Sequence, residues 1–244
     1  MELIYYFIIL LITTILFYSI NKILLKKEHY YSYIDNSNID NNYIPKIIHQ
    51  TAPADKSRWN DVWIECQTTW LQHFPSPEYE YIMWTDEDLE NLIKNDFPWY
   101  YDIYIGYDVN IKRIDIARYF ILYKYGGIYA DMDYMCVKNF YNELPPNKVS
   151  ISESPHVNHE YIQNALMASN KNNPFWMKVI EEAKNRKELS VFDATGPNLV
   201  THMYFENKDD VYILDKNLFN PLPKTPEFDA DCVYAKHFGT CVYC

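Results

Sequence analysis

Ile111–Asp133 reads IKRIDIARYFILYKYGGIYADMD. Ile111, Ile114, Ile121, Leu122 and Tyr125 keep helical spacing. Gly126-Gly127 is a natural left-handed stop for that helix. Ile128-Tyr129-Ala130 then reads as a short buried strand. It delivers Asp131 and Asp133, at i and i+2, toward one side of its end. Two carboxylates that close repel unless a cation lies between them. Their hard oxygens suit Mn²⁺ or Mg²⁺, and such ions commonly bridge a diphosphate. Upstream, Asp115 and Arg118 stand three apart on one helical face, where their side chains meet. Spacing alone leaves two readings of that pair. One is an ordinary surface ion pair. The other is a carboxylate that accepts sugar hydroxyl protons, held by an arginine that also donates to sugar or phosphate.

Working outward, Ile44–His49 (IPKIIH) predicts a first strand, with Pro45 near its start where no ladder donor is needed. Trp59, Val62, Trp63, Cys66 and Trp70 fall on one helical face and read as core packing. Tyr79–Trp84 predicts a second strand. Thr85 with Asp88 forms a capping box that opens a helix bearing Leu89, Leu92 and Ile93. Asn173-Pro174 caps and starts another helix, with Phe175, Trp176, Val179, Ile180 and Ala183 inward. Strands alternating with helices predict an α/β domain with a largely parallel sheet.

The chain has 244 residues, with 33 acidic and 22 basic side chains and a net charge of −11. That balance disfavours a nucleic-acid partner. Tyrosine is abundant at 24, and glycine is scarce at 5, which excludes collagen-like and Gly-rich linker architectures. Leu3–Ile20 is an uncharged, mostly apolar run about 27 Å long as a helix, close to the hydrocarbon thickness of a bilayer. No basic n-region or small-residue cleavage site accompanies it, so residues 1–27 read as a transmembrane anchor rather than a signal peptide. Lys22, Lys26 and Lys27 after the span favour a cytoplasmic domain, whereas a secretory-pathway enzyme places it in the lumen. Both orientations stay open. Residues 28–42 are polar and Asn-rich, a stem, and 43–244 form the folded domain.

Lys112–Tyr119 through Gly126–Asp133 resembles the D-x-x-R…GG-x-Y-x-D-x-D signature of DXD-containing glycosyltransferases. Five further stretches are similar to that family in the same order: Ile44–Thr51, Trp84-Thr85-Asp86, Asn164–Ser169 with Asn173–Trp176, Thr195-Gly196-Pro197, and His237–Thr240. Residues 44–240 thus resemble glycosyltransferase family 32, which includes yeast-type α-mannosyltransferases and inositolphosphoceramide mannosyltransferases.

The resemblance implies a GT-A fold, Rossmann-like, with the donor at the carboxyl ends of the strands. It implies that Asp133 binds Mn²⁺ or Mg²⁺, that Asp131 binds ribose or donor sugar and reaches the metal through water, and that His237 completes the metal shell. Asp115 and Arg118 hold donor-sugar hydroxyls, and with Asp131 and Asp133 they form the catalytic set. His49, Gln50, Gly127, Thr195, Gly196 and Thr240 line the donor site. The implied reaction is transfer of a hexose, mannose first, from a GDP- or UDP-sugar to a glycan or glycolipid, with retention of configuration. The implied location is an ER- or Golgi-type secretory membrane. Two positions depart from the family: Ala52 stands where relatives carry Trp, and Cys241 where a terminal Trp is usual.

The tail residues Cys232, His237, Cys241 and Cys244 admit two other readings, structural zinc and a disulfide. Two other functions compete with transfer. A non-catalytic lectin-like relative is opposed by the intact acidic set. A D-x-D phosphohydrolase is opposed by Met135, where that chemistry needs Thr or Val.

Overall fold

The computed structural model describes residues 13, 14, 17, 43–156, 160–222 and 232–240. The chain divides into two units, Met1–Asn38 and Ile39–Cys244. Of the first unit only Thr13, Thr14 and Phe17 are described, and they are helical. Among the described residues no helix is long and apolar enough to cross a membrane. The rest of the Leu3–Ile20 run, and the stem as far as residue 42, lie outside the described residues.

The second unit begins with β1 (Ile47–Thr51), α1 (Asp61–His73), β2 (Glu80–Trp84), α2 (Asp86–Asp96), α3 (Pro98–Ile105) and α4 (Asn110–Tyr125). It continues through β3 (Gly127–Ala130), β4 (Tyr134–Cys136), β5 (Val149–Glu153), β6 (Ile162–Ser169) and α5 (Pro174–Asn185). It closes with α6 (Val191–Ala194), α7 (Pro197–Glu206), β7 (Val211–Leu214), α8 (Lys216–Phe219) and β8 (Ala235–His237). Six strands form one sheet in the order β2-β1-β3-β6-β5-β7, and β4 pairs with β8 in a second, two-stranded sheet. β1 is parallel to β2 and β3, and β5 to β7, while β6 is antiparallel to both its neighbours. All strands of the large sheet but β6 therefore point one way, and the largely parallel sheet is present. Strict alternation with helices is not, because β3 and β4, and β5 and β6, follow one another with no α-helix between.

Local chemistry sets the helix ends. Thr85 and Asp88 exchange reciprocal side-chain to backbone bonds at the start of α2. The Asn173 side chain accepts from the Phe175 N–H, and Pro174 follows as the first helical residue of α5. The Asn60 side chain accepts from the Trp63 N–H, so α1 begins at Asp61 and leaves Trp59 outside the helix that the Trp spacing predicted. Under α1, Trp70 stacks on Phe74 with centroids 5.4 Å apart, and Phe140 meets Trp70 edge-on at 5.9 Å. The Trp70 indole donates to the Tyr134 carbonyl at 2.6 Å, so its one polar atom is satisfied in the core.

α4 differs from its one-sided apolar pattern. Every residue from Ile114 to Tyr123 is buried, Asp115 and Arg118 included. The helix is enclosed by α2, α3, α5, α6 and the sheet. After it the chain turns through Gly126 at φ 65° and Gly127 at φ 92°. A Cβ on Gly127 would lie 2.5 Å from the Ile47 carbonyl oxygen, so only glycine lets β3 reach its place beside β1. Gly239 also has positive φ, at 59°, but has nothing within 4 Å of its Cβ position. Gly127→Val is expected to abolish cooperative folding, whereas Gly239→Ala should cost only about 1–2 kcal/mol for the left-handed backbone. Thermal unfolding of the two variants checks this, and a Gly127→Val protein as stable as Gly239→Ala would contradict it.

Candidate active site

β3 ends at Ala130, and the next residue, Asp131, sits at the mouth of the sheet. Its N–H donates to the Ala165 carbonyl at 2.8 Å, and its carbonyl accepts from the Gln50 side chain at 3.1 Å. Tyr129, two residues back on the same face, donates its hydroxyl to Asp131 Oδ1 at 2.8 Å. The Thr51 hydroxyl, 2.9 Å away, then donates to the Tyr129 oxygen.

Asp133 is held by the C-terminal strand. β8 pairs with β4 directly after the acidic motif, and Phe238 N–H donates to the Asp133 carbonyl at 3.0 Å. His237 Nε2 lies 3.2 Å from Asp133 Oδ1. Thr240 donates to Asp133 Oδ2 twice, from its N–H at 2.6 Å and its hydroxyl at 3.0 Å. The ligand atoms of Asp131, Asp133 and His237 lie within 4.8 Å of one another.

Arg118 joins the upstream pair to this cluster. Its guanidinium is 3.3 Å from Asp115 Oδ1 and 3.2 Å from Asp131 Oδ1, and it donates to the Asn164 carbonyl at 3.1 Å. Asp115 accepts from Asn164 Nδ2 at 3.1 Å and from the Thr195 hydroxyl at 3.3 Å. Tyr119 closes the set by accepting from Asn164 at 3.2 Å and donating to the Thr195 carbonyl at 2.6 Å. Asp115 is 4% and Arg118 6% exposed, which excludes the surface ion pair.

Charge follows this geometry. Burial raises the Asp115 carboxyl to about 6; Arg118 opposes the rise and Asp131 adds to it. Burial also raises Asp131, against the pull of Arg118, and the charge of Asp133 raises it further. For Asp133 burial works upward, but His237 and Thr240 outweigh it and hold the carboxyl below its usual range. Burial works to lower His237, yet its bond to Asp133 leaves the imidazole raised. Mutual repulsion between Asp131 and Asp133 is what a bound cation relieves. Two carboxylates and one imidazole are a donor set that fits Mn²⁺ or Mg²⁺.

The residues expected to line the donor site differ in what they touch. His49 is fully buried; its Nδ1 accepts from the Trp84 indole at 3.1 Å, so its Nε2 donates to the Gly126 carbonyl at 2.9 Å. Burial holds this ring neutral, lowered to about 4, with the Gly126 bond opposing. Gln50 is fully buried between Tyr81 and Asp131. Both side chains have their polar atoms engaged by neighbouring elements at the strand ends. Gly127 is packed on β1, Gly196 caps α7, the Thr195 hydroxyl faces Asp115, and the Thr240 hydroxyl faces Asp133. Of the tail group, Cys232 is exposed, His237 belongs to the Asp131–Asp133 cluster, and Cys241 and Cys244 lie outside the described residues. Sequence reasoning missed Tyr129 and Asn164 at the site, and also Trp63, whose indole N–H donates to Thr240 Oγ1 at 3.2 Å. The first two stand inside quoted motifs, at i−2 from Asp131 and at the start of the Asn164–Ser169 stretch. Nothing in the Trp spacing marked Trp63 apart from its core neighbours.

Residues 60–151 match the family described as glycosyltransferase sugar-binding region containing DXD motif. Inositol phosphoceramide mannosyltransferase 3 of Schizosaccharomyces pombe is 36% identical over 180 residues, covering 71% of this chain and 48% of that protein. Mannosyl phosphorylinositol ceramide synthase CSH1 of Saccharomyces cerevisiae is 33% identical over 174 residues, covering 68% and 43%. The chain thus spans about half the length of the curated relatives it matches. Among solved structures, the PaToxG glycosyltransferase superposes with a TM-score of 0.53 at 18% identity over 76% of each chain, which shows a shared fold. The fold is that of GT-A-like glycosyltransferases, a mostly parallel sheet flanked by helices. The chain belongs to the DXD-containing glycosyltransferase family.

The buried Asp115 gives a pH test of the site independent of any ligand. An acid whose pKa rises on folding, here from 3.8 to about 6, binds its proton more tightly when folded. Its contribution is fully present below about pH 4 and is lost as pH rises through about 6, a change of about 3 kcal/mol. Asp115→Asn removes that term, so the variant's unfolding free energy should fall less than wild type's between those two pH values. Denaturant titrations of both proteins across this range measure the difference, and parallel curves would contradict it.

Proposed function

We propose that the chain carries the catalytic domain of a metal-dependent, retaining glycosyltransferase. It moves a hexose, mannose first, from a GDP- or UDP-sugar to a glycan or glycolipid acceptor. The observation that carries this reading is the convergence of Asp131, Asp133 and His237 within 4.8 Å at a strand mouth, with Asp115 and Arg118 alongside. Mannose draws support from the names of the two fungal relatives. The apolar Leu3–Ile20 run supports a membrane anchor, and through it an ER- or Golgi-type secretory membrane.

In this reading Asp133, His237 and Asp131 hold Mn²⁺ or Mg²⁺. The cation supplies Lewis-acid neutralisation of the departing diphosphate. Asp115 accepts donor-sugar hydroxyl protons and fixes the ring. Arg118 sets the distance between Asp115 and Asp131, and its positive charge favours the donor's anionic end. This reading assigns no covalent nucleophile, and the engagement of Asp115 by Asn164, Thr195 and Arg118 supports it. Retention then follows from attack of the acceptor hydroxyl on the face the diphosphate leaves. The acceptor oxygen bonds to the anomeric carbon, the bond to diphosphate breaks, and the acceptor proton passes to the diphosphate.

Nucleotide-sugar hydrolysis by the full chain, with and without Mn²⁺, tests the reading. Asp133→Ala is expected to lower the metal-dependent rate by about 10³-fold. Undiminished turnover in that variant would sink the metal role. A thermal-shift series of GDP- and UDP-sugars with Mn²⁺ identifies the base, since the bound donor stabilises the fold.

A further inference from the structure

Trp63 belongs by its spacing to the apolar face of α1, and it is 6% exposed. Its indole N–H nevertheless leaves the core and donates to Thr240 Oγ1 at 3.2 Å. An indole nitrogen only donates, so the Thr240 oxygen must accept from it. The Thr240 hydroxyl proton is thereby directed to Asp133 Oδ2, 3.0 Å away, where the Thr240 N–H also points at 2.6 Å. Oδ2 receives two donors, which fill its two lone pairs. Oδ1 is left facing His237 and the space shared with Asp131. Around Trp63 lies a small apolar cluster separate from the larger core, made with Ala52 and Met132 and flanked by Trp59 and Met83. Met132 is the residue between the two aspartates, so this cluster seats the acidic turn itself.

We infer that Trp63 and Thr240 are positioning residues that turn Asp133 into a one-oxygen metal ligand. The relay ties a helix near the start of the domain to the segment just after β8 through a single carboxylate. It rests on the proposed metal role of Asp133, but not on sugar transfer. A carboxylate free to rotate offers either oxygen or both. One with Oδ2 occupied offers Oδ1 alone, at a fixed angle. Partners one step beyond the ligands commonly change metal affinity 10- to 100-fold.

The test is Mn²⁺ affinity of the full chain, measured by electron paramagnetic resonance of free Mn²⁺, with thermal unfolding in metal-free buffer alongside. Trp63→Phe keeps an aromatic six-membered ring and removes the indole N–H. Thr240→Val keeps the shape and removes the hydroxyl. Each is expected to raise the Mn²⁺ Kd about 10-fold with a metal-free Tm close to wild type. Thr240→Ser, which retains the hydroxyl, should bind as wild type does. The double variant should bind no more weakly than Thr240→Val alone, because both changes cut one relay. Wild-type affinity in Trp63→Phe overturns the proposal, as do multiplicative effects in the double variant. A wild-type chain that binds no Mn²⁺ overturns the metal reading and this inference with it. Tight Mn²⁺ binding without sugar transfer overturns the proposed activity alone.

Discussion

The Arg118 guanidinium, buried between Asp115 on its own helix and Asp131 beyond β3, is the interaction on which the site depends. It is the cation that lets α4 bury a carboxylate in its middle and still pack against the sheet. Removing it would leave Asp115 uncompensated and Asp131 facing Asp133 alone, a loss of about 3–5 kcal/mol for such buried pairs. Its reach also fixes a length. The arginine must touch both acids at once, so the end of β3 cannot drift from the middle of α4. The Gly126-Gly127 corner makes that closure possible, because β3 returns beside β1 with no side chain in the way.

A second clamp works from the other end of the chain. β8 pairs with β4, and His237 and Thr240 surround Asp133. The two aspartates therefore answer to different parts of the protein, Asp131 to α4 and β1, Asp133 to α1 and the C-terminal strand. The opposite directions of their pKa shifts follow from this division. The high tyrosine count acquires a role in the same frame. Tyr119, Tyr129 and Tyr134 bury their rings and spend their hydroxyls on Thr195, Asp131 and Phe219. Each fills core volume and settles a polar group beside or beneath the mouth of the sheet.

Much of this was legible locally. The Thr85–Asp88 capping box, the Asn173-Pro174 start and the glycine stop after Tyr125 depend on residues within a few positions of one another, so spacing alone revealed them. The acidic pair was legible for the same reason. The partners of His49 and Gln50 were not. Their place in a first strand was readable, but which neighbours take up a strand residue's polar atoms depends on what packs over it. Here Trp84, Gly126 and Tyr81 occupy their polar atoms.

The sequence by itself determined the α/β class, the helix boundaries set by caps and glycines, and the pairing of Asp131 with Asp133, because each follows from periodicity or short-range sterics. Only the tertiary structure decided that the Asp115–Arg118 pair is buried and that His237 and Thr240 meet Asp133 across more than a hundred residues. It also separated Trp63 from its core neighbours. Those outcomes rest on long-range packing and on which polar atoms lose water, and neither is encoded in the spacing of nearby residues.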